Sequence, residues 1–118
     1  MTTILIADDA AFMRLRCGRM LMDQGYTVLE AENGRDAVEK YQAHHPDAVL
    51  MDVTMPELDG LGALKQIRAL DPAAKVAMVT AIGQQQVVME AVQAGAKDFV
   101  VKPFKPERVL AAVQKMLR

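Results

Sequence analysis

The 118-residue sequence contains a single cysteine, Cys17, and this scarcity excludes two kinds of site. One thiol cannot form an internal disulfide, and it cannot supply a cysteine-based zinc site. Long apolar runs are also missing, because the chain passes from Met1-Thr2-Thr3 into a short apolar run and contains no stretch long enough to span a bilayer. A basic segment leading into a long apolar one, as in a secretory signal, is not found either. These absences predict a cytoplasmic protein.

An excess of charge of one sign is missing as well. The 14 basic residues nearly balance the 15 acidic ones, so the sequence gives no electrostatic reason to expect nucleic acid as a partner. No linker, low-complexity segment or internal repeat interrupts the chain, and 52% of its residues are hydrophobic. We therefore expect residues 1–118 to form one packed domain whose output passes through partners.

Short apolar runs alternate with longer amphipathic segments five times along the chain. The runs predict strands at 3–7, 27–30, 47–51, 76–80 and 99–101. The longer segments predict helices at 10–24, 35–44, 61–70, 84–94 and 107–117. This alternation with short loops implies an α/β fold of parallel strands, right-handed crossovers and helices on both faces of the sheet. Because most runs are apolar at every position, the strands should be buried on both sides, with the more polar second strand at an edge.

Helical spacing predicts which side chains face the core. In the first helix the predicted inward stripe comprises Phe12, Met13, Cys17, Met20 and Leu21. In the fourth helix it comprises Val87, Val88, Ala91 and Val92. Gly18 weakens the first helix by about 1 kcal/mol relative to alanine, and a close packing contact is the only reason that the sequence suggests for it.

Polar residues follow four of the predicted strands where each strand ends. They are Asp8 and Asp9 after the first, Asp52 after the third, Thr80 at the end of the fourth and Lys102 after the fifth. The carboxyl ends of parallel strands share one edge of the sheet, where open α/β sheets bind ligands. We therefore expect residues as far apart as Asp8 and Lys102 to share one pocket.

The chemistry of this set favours phosphoryl transfer. Three carboxylates and one ammonium leave surplus negative charge, which must be neutralised by protons or by a cation. Carboxylate oxygens suit Mg²⁺, which binds through one or two carboxylates together with a phosphate. A lysine and a threonine hydroxyl suit phosphoryl oxygens, so the set predicts that Asp52 is a nucleophile that becomes an aspartyl phosphate.

Four segments together resemble the response-regulator receiver domain family over the whole chain. They are Asp8-Asp9, the loop from Asp52-Val53-Thr54-Met55-Pro56 to Glu57-Leu58-Asp59-Gly60, Thr80-Ala81, and the stretch from Gly95-Ala96-Lys97-Asp98 through Phe99 and Lys102-Pro103 to Phe104. The sequence is most similar to the single-domain chemotaxis regulators of that family. The resemblance implies a doubly wound (βα)5, flavodoxin-like three-layer sandwich with strand order 2-1-3-4-5, an order known for the family.

The resemblance also implies a role for each residue. A histidine kinase would phosphorylate Asp52, and Mg²⁺ would be bound by Asp9, Asp52 and the backbone carbonyl of Thr54, with Asp8 acting mostly through water. Lys102 would pair with the phosphoryl group, across a cis bond to Pro103. Thr80 would move to a phosphoryl oxygen and Phe99 would swing inward behind it. These movements would reshape the target-binding face formed by the fourth helix, fifth strand and fifth helix.

The implied partners are a chemotaxis-type histidine kinase, the flagellar motor switch protein and a phosphatase, with neither nucleic acid nor a membrane involved. The protein would be a monomer and not a conventional enzyme, since it would catalyse only its own phosphorylation and dephosphorylation.

Phe99 stands where some chemotaxis members have tyrosine, so a hydroxyl contact to a target is missing. Thr54 and Ile82 occupy positions that flank the phosphate in family members and bear on its lifetime.

Each residue also has a simpler interpretation when it is taken alone. Asp52 could be a loop residue or a helix cap, Asp8 and Asp9 could cap the first helix, and Thr80 could simply end a strand. Lys102 could be a surface lysine and Phe99 a core aromatic.

Three arginines of the first helix are predicted to form a solvated face, with kinase docking as an alternative: Arg14, Arg16 and Arg19.

Three other functions compete with the chemotaxis switch. A phosphorelay intermediate would use the same site to pass its phosphate to a second histidine protein. A phosphatase of the haloacid dehalogenase type also uses an aspartate nucleophile, but it needs Asp-x-Asp after its first strand and a cap, whereas Asp8 and Asp9 are adjacent and no cap is present. A flavin or dinucleotide carrier needs a glycine-rich or Ser/Thr-rich phosphate loop after the first strand, and none occurs.

Overall fold

The computed structural model describes residues 1–81 and 84–118, which form five strands and five helices. The strands are β1 (Thr3–Ala7), β2 (Thr27–Ala31), β3 (Ala48–Asp52), β4 (Val76–Ala81) and β5 (Asp98–Lys102). The helices are α1 (Ala11–Asp23), α2 (Gly34–His44), α3 (Gly60–Leu70), α4 (Gln85–Gln93) and α5 (Pro106–Leu117). The strands pair in parallel in the order β2-β1-β3-β4-β5, so the predicted fold and the edge position of β2 are confirmed.

Helices cover both faces of the sheet, because successive side chains of a buried strand point to opposite sides. On β1, Leu5 belongs to a core cluster with α2, α3 and α4, whereas Ile4 and Ile6 belong to a second cluster with α1 and α5. Apolar residues at successive positions of β1, β3 and β4 therefore serve two cores. The result is the three-layer sandwich that the alternation predicted.

Local signals set several helix ends. Gly25 ends α1 in the left-handed region with φ +92°, and Pro106 opens α5 where no backbone N–H is needed. The side chain of Asn33 caps α2 by accepting the backbone N–H of Asp36 at 2.7 Å. The predicted cis bond between Lys102 and Pro103 is confirmed.

Two residues predicted to face the core point to solvent instead. Phe12 is 69% exposed, because it lies five residues before the buried Cys17 and is rotated from it by about 140° around the helix. Val92 is 53% exposed, because the neighbouring Ala91 takes the buried position and one residue further turns about 100° away. Both predictions were wrong because the predicted inward-facing stripe of each helix included a residue outside the face that packs on the core.

Among the described residues, no helix combines the length and the hydrophobicity needed to cross a bilayer.

Candidate functional site

Asp52 ends β3 with a buried carboxylate, and the loop that follows is held against the strand. The backbone N–H of Gly60 donates to the carbonyl of Val53 at 2.8 Å, and the N–H of Gly34 donates to the carbonyl of Leu58 at 2.9 Å. A Cβ atom on Gly60 would collide with the backbone carbonyl of Asp52, and one on Gly34 would collide with that of Leu58. Glycine at both places lets the loop pack closely around Asp52.

Three carboxylates meet at the carboxyl edge of the sheet. Asp8 and Asp52 are buried and Asp9 is exposed, and each offers an oxygen within 4.8 Å of the others. Asp8 also holds the turn into α1, since its Oδ1 accepts the backbone N–H of Ala10 at 2.8 Å. Neither Asp8 nor Asp9 caps α1, because the N-cap residue is Ala10 and no side-chain cap bond is formed in the described structure.

Lys102 brings a positive charge into this cluster from the end of β5. Its Nζ lies 3.3 Å from Oδ2 of Asp52 and 3.4 Å from Oδ2 of Asp8. The pocket therefore joins residues 94 positions apart in sequence, as the strand-end pattern predicted. The structure thus brings together Asp8, Asp9, Asp52 and Lys102.

The charges in the pocket do not balance. Burial above all, and then the carboxylate of Asp8, raise the pKa of Asp52 to about 6 even though Lys102 lies beside it. Burial opposes the charge of Lys102, but Asp52 and Asp8 outweigh it and raise the pKa of the ammonium above its ordinary value. The ionised site therefore has an excess of negative charge on buried or partly buried oxygens.

This donor set fits a hard divalent cation. Three carboxylates converge, the buried Asp52 is costly to ionise, and the nearby ammonium compensates for only one of three negative charges. Oxygen ligands of this kind suit Mg²⁺, which keeps several waters and needs few protein ligands. The residues of the acidic pocket therefore fit Mg²⁺.

Thr80 is only 2% exposed, and its hydroxyl forms a hydrogen bond within the protein. It donates to Oε1 of Gln84 at 2.7 Å, and a weaker contact of 3.3 Å leads to the carbonyl of Ala81. Oε1 of Gln84 also accepts the backbone N–H of Ala81 at 2.9 Å. In this structure Thr80 is therefore bound to the segment before α4.

The structure describes two of the three remaining predicted residues. Thr54 is exposed in the loop after β3, and Ile82 falls outside the described residues. Phe99 on the edge strand β5 is 39% exposed, so its interpretation as a core aromatic was wrong.

Sequence reasoning missed the contacts of two residues. Arg14 was assigned to a solvated face, but its side chain is only 15% exposed and donates to the carbonyl of Asp8 at 2.6 Å and to Glu30 at 3.1 Å. Gln84 was taken only as the start of a helix, although it holds Thr80. No sequence signal points to this contact, because a four-residue spacing brings side chains together within a helix and Thr80 lies in a strand.

Comparison with known proteins agrees with this geometry. The chain matches the response regulator receiver domain over residues 4–114. It is 56% identical over 115 residues to the chemotaxis protein CheY of Bacillus subtilis (strain 168), covering 97% of this chain and 96% of the relative. It is 54% identical over 114 residues to CheY of Thermotoga maritima, covering 96% of this chain and 95% of that relative.

Solved structures of CheY and of a CheY-like receiver domain share the fold of this chain. The CheX-CheY-BeF3-Mg²⁺ complex from Borrelia burgdorferi matches with a TM-score of 0.93 and 34% identity, covering 99% of this chain and 90% of that chain. A CheY-like receiver domain from Methanospirillum hungatei matches with a TM-score of 0.95 and 26% identity, covering 99% of this chain and 94% of that one. The resemblance to receiver domains that the sequence predicted is confirmed.

Proposed function

We propose that this chain, which belongs to the response regulator receiver domain family, is switched by a phosphoryl group that Asp52 accepts from a histidine kinase. The chain is a CheY-like receiver domain of a two-component system, and such domains are signalling proteins that interact with histidine kinases and other partners. One observation supports the proposal above the others: a buried Asp52 carboxylate lies beside Asp8, Asp9 and the Lys102 ammonium.

In the proposed reaction an oxygen of Asp52 attacks the phosphorus of a phosphohistidine on the kinase. A bond between this oxygen and phosphorus forms, the bond between phosphorus and the imidazole nitrogen breaks, and the electron pair leaves with the imidazole. Lys102 supplies a compact positive charge, because its Nζ already lies 3.3 Å from the Asp52 carboxylate. The nucleophile is active when ionised, and its pKa of about 6 leaves it mostly ionised at neutral pH.

The proposed ligands of Mg²⁺ are Asp9, Asp52 and the backbone carbonyl of Thr54, with Asp8 acting through water. When bound, the ion would neutralise charge on the carboxylates and on the incoming phosphate. The Borrelia relative was solved with BeF3 and Mg²⁺, which supports the same pair of ligands here. Asp8 and Lys102 contact each other in the structure, so Asp8 also helps to position the amine.

Phosphorylation adds about −2 charge and three acceptor oxygens to a pocket that is already acidic. The proposed response is that Thr80 moves to a phosphoryl oxygen and Phe99 turns inward from its half-exposed position. The phosphate need only favour one of two arrangements that the protein already adopts. Thr80 and Phe99 lie on the paired strands β4 and β5, next to α4 and α5.

The proposed target face carries apolar side chains that are unusually exposed. On α4 and β5 these are Met89, Val92, Phe99 and Val101. A patch of this kind marks a protein-binding surface, and we propose that the flagellar motor switch protein binds there. Phe99 would provide apolar contact but no hydroxyl to such a target.

Mass spectrometry after incubation with acetyl phosphate and Mg²⁺ tests the acceptor directly. The wild-type chain should gain the mass of one phosphoryl group, and Asp52→Asn should gain none, because the amide cannot act as the nucleophile. Asp47→Asn is a matched control, since Asp47 is an exposed aspartate away from the pocket, and it should be modified like the wild type. A phosphoryl gain that persists in Asp52→Asn would contradict the assignment.

A second titration tests the chemotaxis role. The phosphorylated protein should bind a motor-switch peptide more tightly than the unphosphorylated protein does. The same protein mixed with a phosphotransferase domain should not lose its phosphate to a histidine. An unchanged peptide affinity together with rapid transfer to the domain would favour the phosphorelay alternative.

A further inference from the structure

The side chain of Gln84 links the end of β4 to the start of α4. Its Oε1 accepts two hydrogen bonds, from the Thr80 hydroxyl at 2.7 Å and from the backbone N–H of Ala81 at 2.9 Å. Gln84 is the N-cap residue of α4, and its backbone carbonyl accepts the N–H of Val88 at 3.0 Å. N-cap side chains commonly accept a backbone N–H from the helix they precede, whereas this one turns back to the strand.

The donors and acceptors of this contact follow from chemistry. A backbone N–H can only donate, so the side-chain atom that faces Ala81 must be the carbonyl oxygen of Gln84. Because that oxygen can only accept, the Thr80 hydroxyl at 2.7 Å must donate its proton to it. Thr80 is buried, so little water is available to take over that bond.

A hydroxyl has one proton, and a phosphoryl oxygen can only accept a hydrogen bond. Thr80 therefore cannot donate to Gln84 and to a phosphoryl group at the same time. We propose that Gln84 is a positioning residue that holds Thr80 in the unphosphorylated arrangement, and that switching requires this bond to break. The inference rests on the proposed phosphorylation of Asp52.

The same bond connects the pocket to the target face. When Thr80 leaves, the side chain of Gln84 keeps only its bond from Ala81, and the N-terminus of α4 loses one of its two side-chain links to β4. α4 carries Met89 and Val92, two exposed apolar residues of the proposed target face. Gln84 thus sets both the cost of moving Thr80 and the freedom of α4 to move with it.

The test measures the affinity for beryllofluoride in the presence of Mg²⁺, followed by two-dimensional NMR of the full chain. Gln84→Ala loses the bond from Ala81 in both arrangements but the bond from Thr80 only in the unphosphorylated one. This difference of one hydrogen bond should make Gln84→Ala bind beryllofluoride about threefold to tenfold more tightly than the wild type. Gln86→Ala, an exposed glutamine on the same helix, should leave the affinity unchanged. Gln84→Glu keeps an acceptor and strengthens it, so it should weaken binding, and Gln86→Glu controls for the added charge.

A double mutant separates this role from a merely structural one. In a Thr80→Val background the hydroxyl is gone, so Gln84→Ala should change the affinity by less than about twofold. A structural defect would instead weaken binding in both backgrounds. Unchanged or weaker binding by Gln84→Ala, or an equal effect with and without the Thr80 hydroxyl, would overturn the proposal.

A metal-free measurement completes the design. The amide proton of Ala81 should shift upfield in Gln84→Ala and stay in place in Gln86→Ala, because only the first variant removes its acceptor. If the wild type takes up beryllofluoride and Gln84→Ala behaves identically, only the role of Gln84 is wrong. If the wild type shows neither beryllofluoride uptake nor phosphorylation, the proposed function fails, and the role of Gln84 fails with it.

Discussion

The buried carboxylate of Asp52 is costly to ionise in the folded protein. Its carboxylate is buried beside a second buried carboxylate, Asp8, and the ammonium of Lys102 compensates for only part of the cost. A residue chosen for stability alone would not be an ionised acid at this position. The cost of burying this charge is consistent with a site that binds a cation and, as proposed, accepts a phosphoryl group.

The pKa of Asp52 predicts how stability depends on pH. The folded-state value of about 6 lies above the value of about 3.9 in unfolded chains, so the native state holds more protons between these limits. The stabilising contribution of protonated Asp52 is complete below about pH 4 and is lost as the pH rises through 6. Asp52→Asn should therefore raise the free energy of unfolding by about 1–3 kcal/mol at pH 7.5 and by little at pH 4.

Urea unfolding in metal-free buffer, followed by circular dichroism, measures both values. Asp23→Asn, an exposed aspartate at the end of α1, is the matched control and should change stability by less than about 0.5 kcal/mol at either pH. An equal gain for Asp52→Asn at both pH values would show that the gain does not come from the carboxylate charge.

At the scale of elements, the turn from β3 into α3 fixes the geometry of the pocket. Asp59 caps α3 by accepting the backbone N–H of Gly62 at 2.8 Å, and Gly60 packs directly against the last residue of β3. Gly18 in α1 is a different case, because a Cβ there would meet Val28 and Ile6 at 3.5 and 3.9 Å, which are ordinary contact distances. The close packing contact suggested for Gly18 by the sequence leaves room for a methyl group.

Two glycine-to-alanine substitutions should act in opposite directions. Gly60→Ala should lower the free energy of unfolding by at least about 2 kcal/mol, because its Cβ collides with the rigid backbone of Asp52. Gly18→Ala should raise it by up to about 1 kcal/mol, because alanine is the better helix former and its Cβ would make only ordinary van der Waals contacts. Thermal and urea unfolding of the two variants provide the comparison, and a stable Gly60→Ala would mean that the β3–α3 turn can relax.

At the scale of the whole molecule, three strands from distant parts of the sequence each deliver one part of the pocket. Asp8 and Asp9 directly follow β1, Asp52 ends β3, and Lys102 ends β5. The two cores on either side of the sheet hold these strand ends in register. In the unfolded chain the carboxylates are dispersed, so only the folded molecule brings them close enough together to bind one cation jointly.

Mg²⁺ should therefore raise the melting temperature of the wild type. An ion that binds only the folded state adds about 2.7 kcal/mol when its concentration is 100 times Kd. Asp9→Ala should lose most of this rise with little change in metal-free stability, because Asp9 is exposed. Asp23→Asn should keep the full rise, and the two variants can be compared by calorimetry with and without Mg²⁺. An undiminished rise in Asp9→Ala would remove Asp9 from the proposed ligands.

The sequence by itself determined the layer order of the elements and the shared location of the polar strand ends. Apolar runs alternating with amphipathic segments permit few arrangements, and parallel strands place Asp8, Asp52, Thr80 and Lys102 at one edge whatever the details of packing. Helix phase was less secure: the side chains of Phe12 and Val92 point to solvent, because an apolar stripe in sequence does not show how much of it the sheet covers.

Only the tertiary structure decided how those side chains are paired. It places Lys102 between Asp52 and Asp8, packs the partly buried Arg14 against the Asp8 carbonyl, and turns Gln84 back to Thr80. These contacts depend on side-chain rotamers and on the approach of backbone segments from distant parts of the chain. Local sequence fixes neither of them, because both are set by the close packing of the complete sheet and its helices.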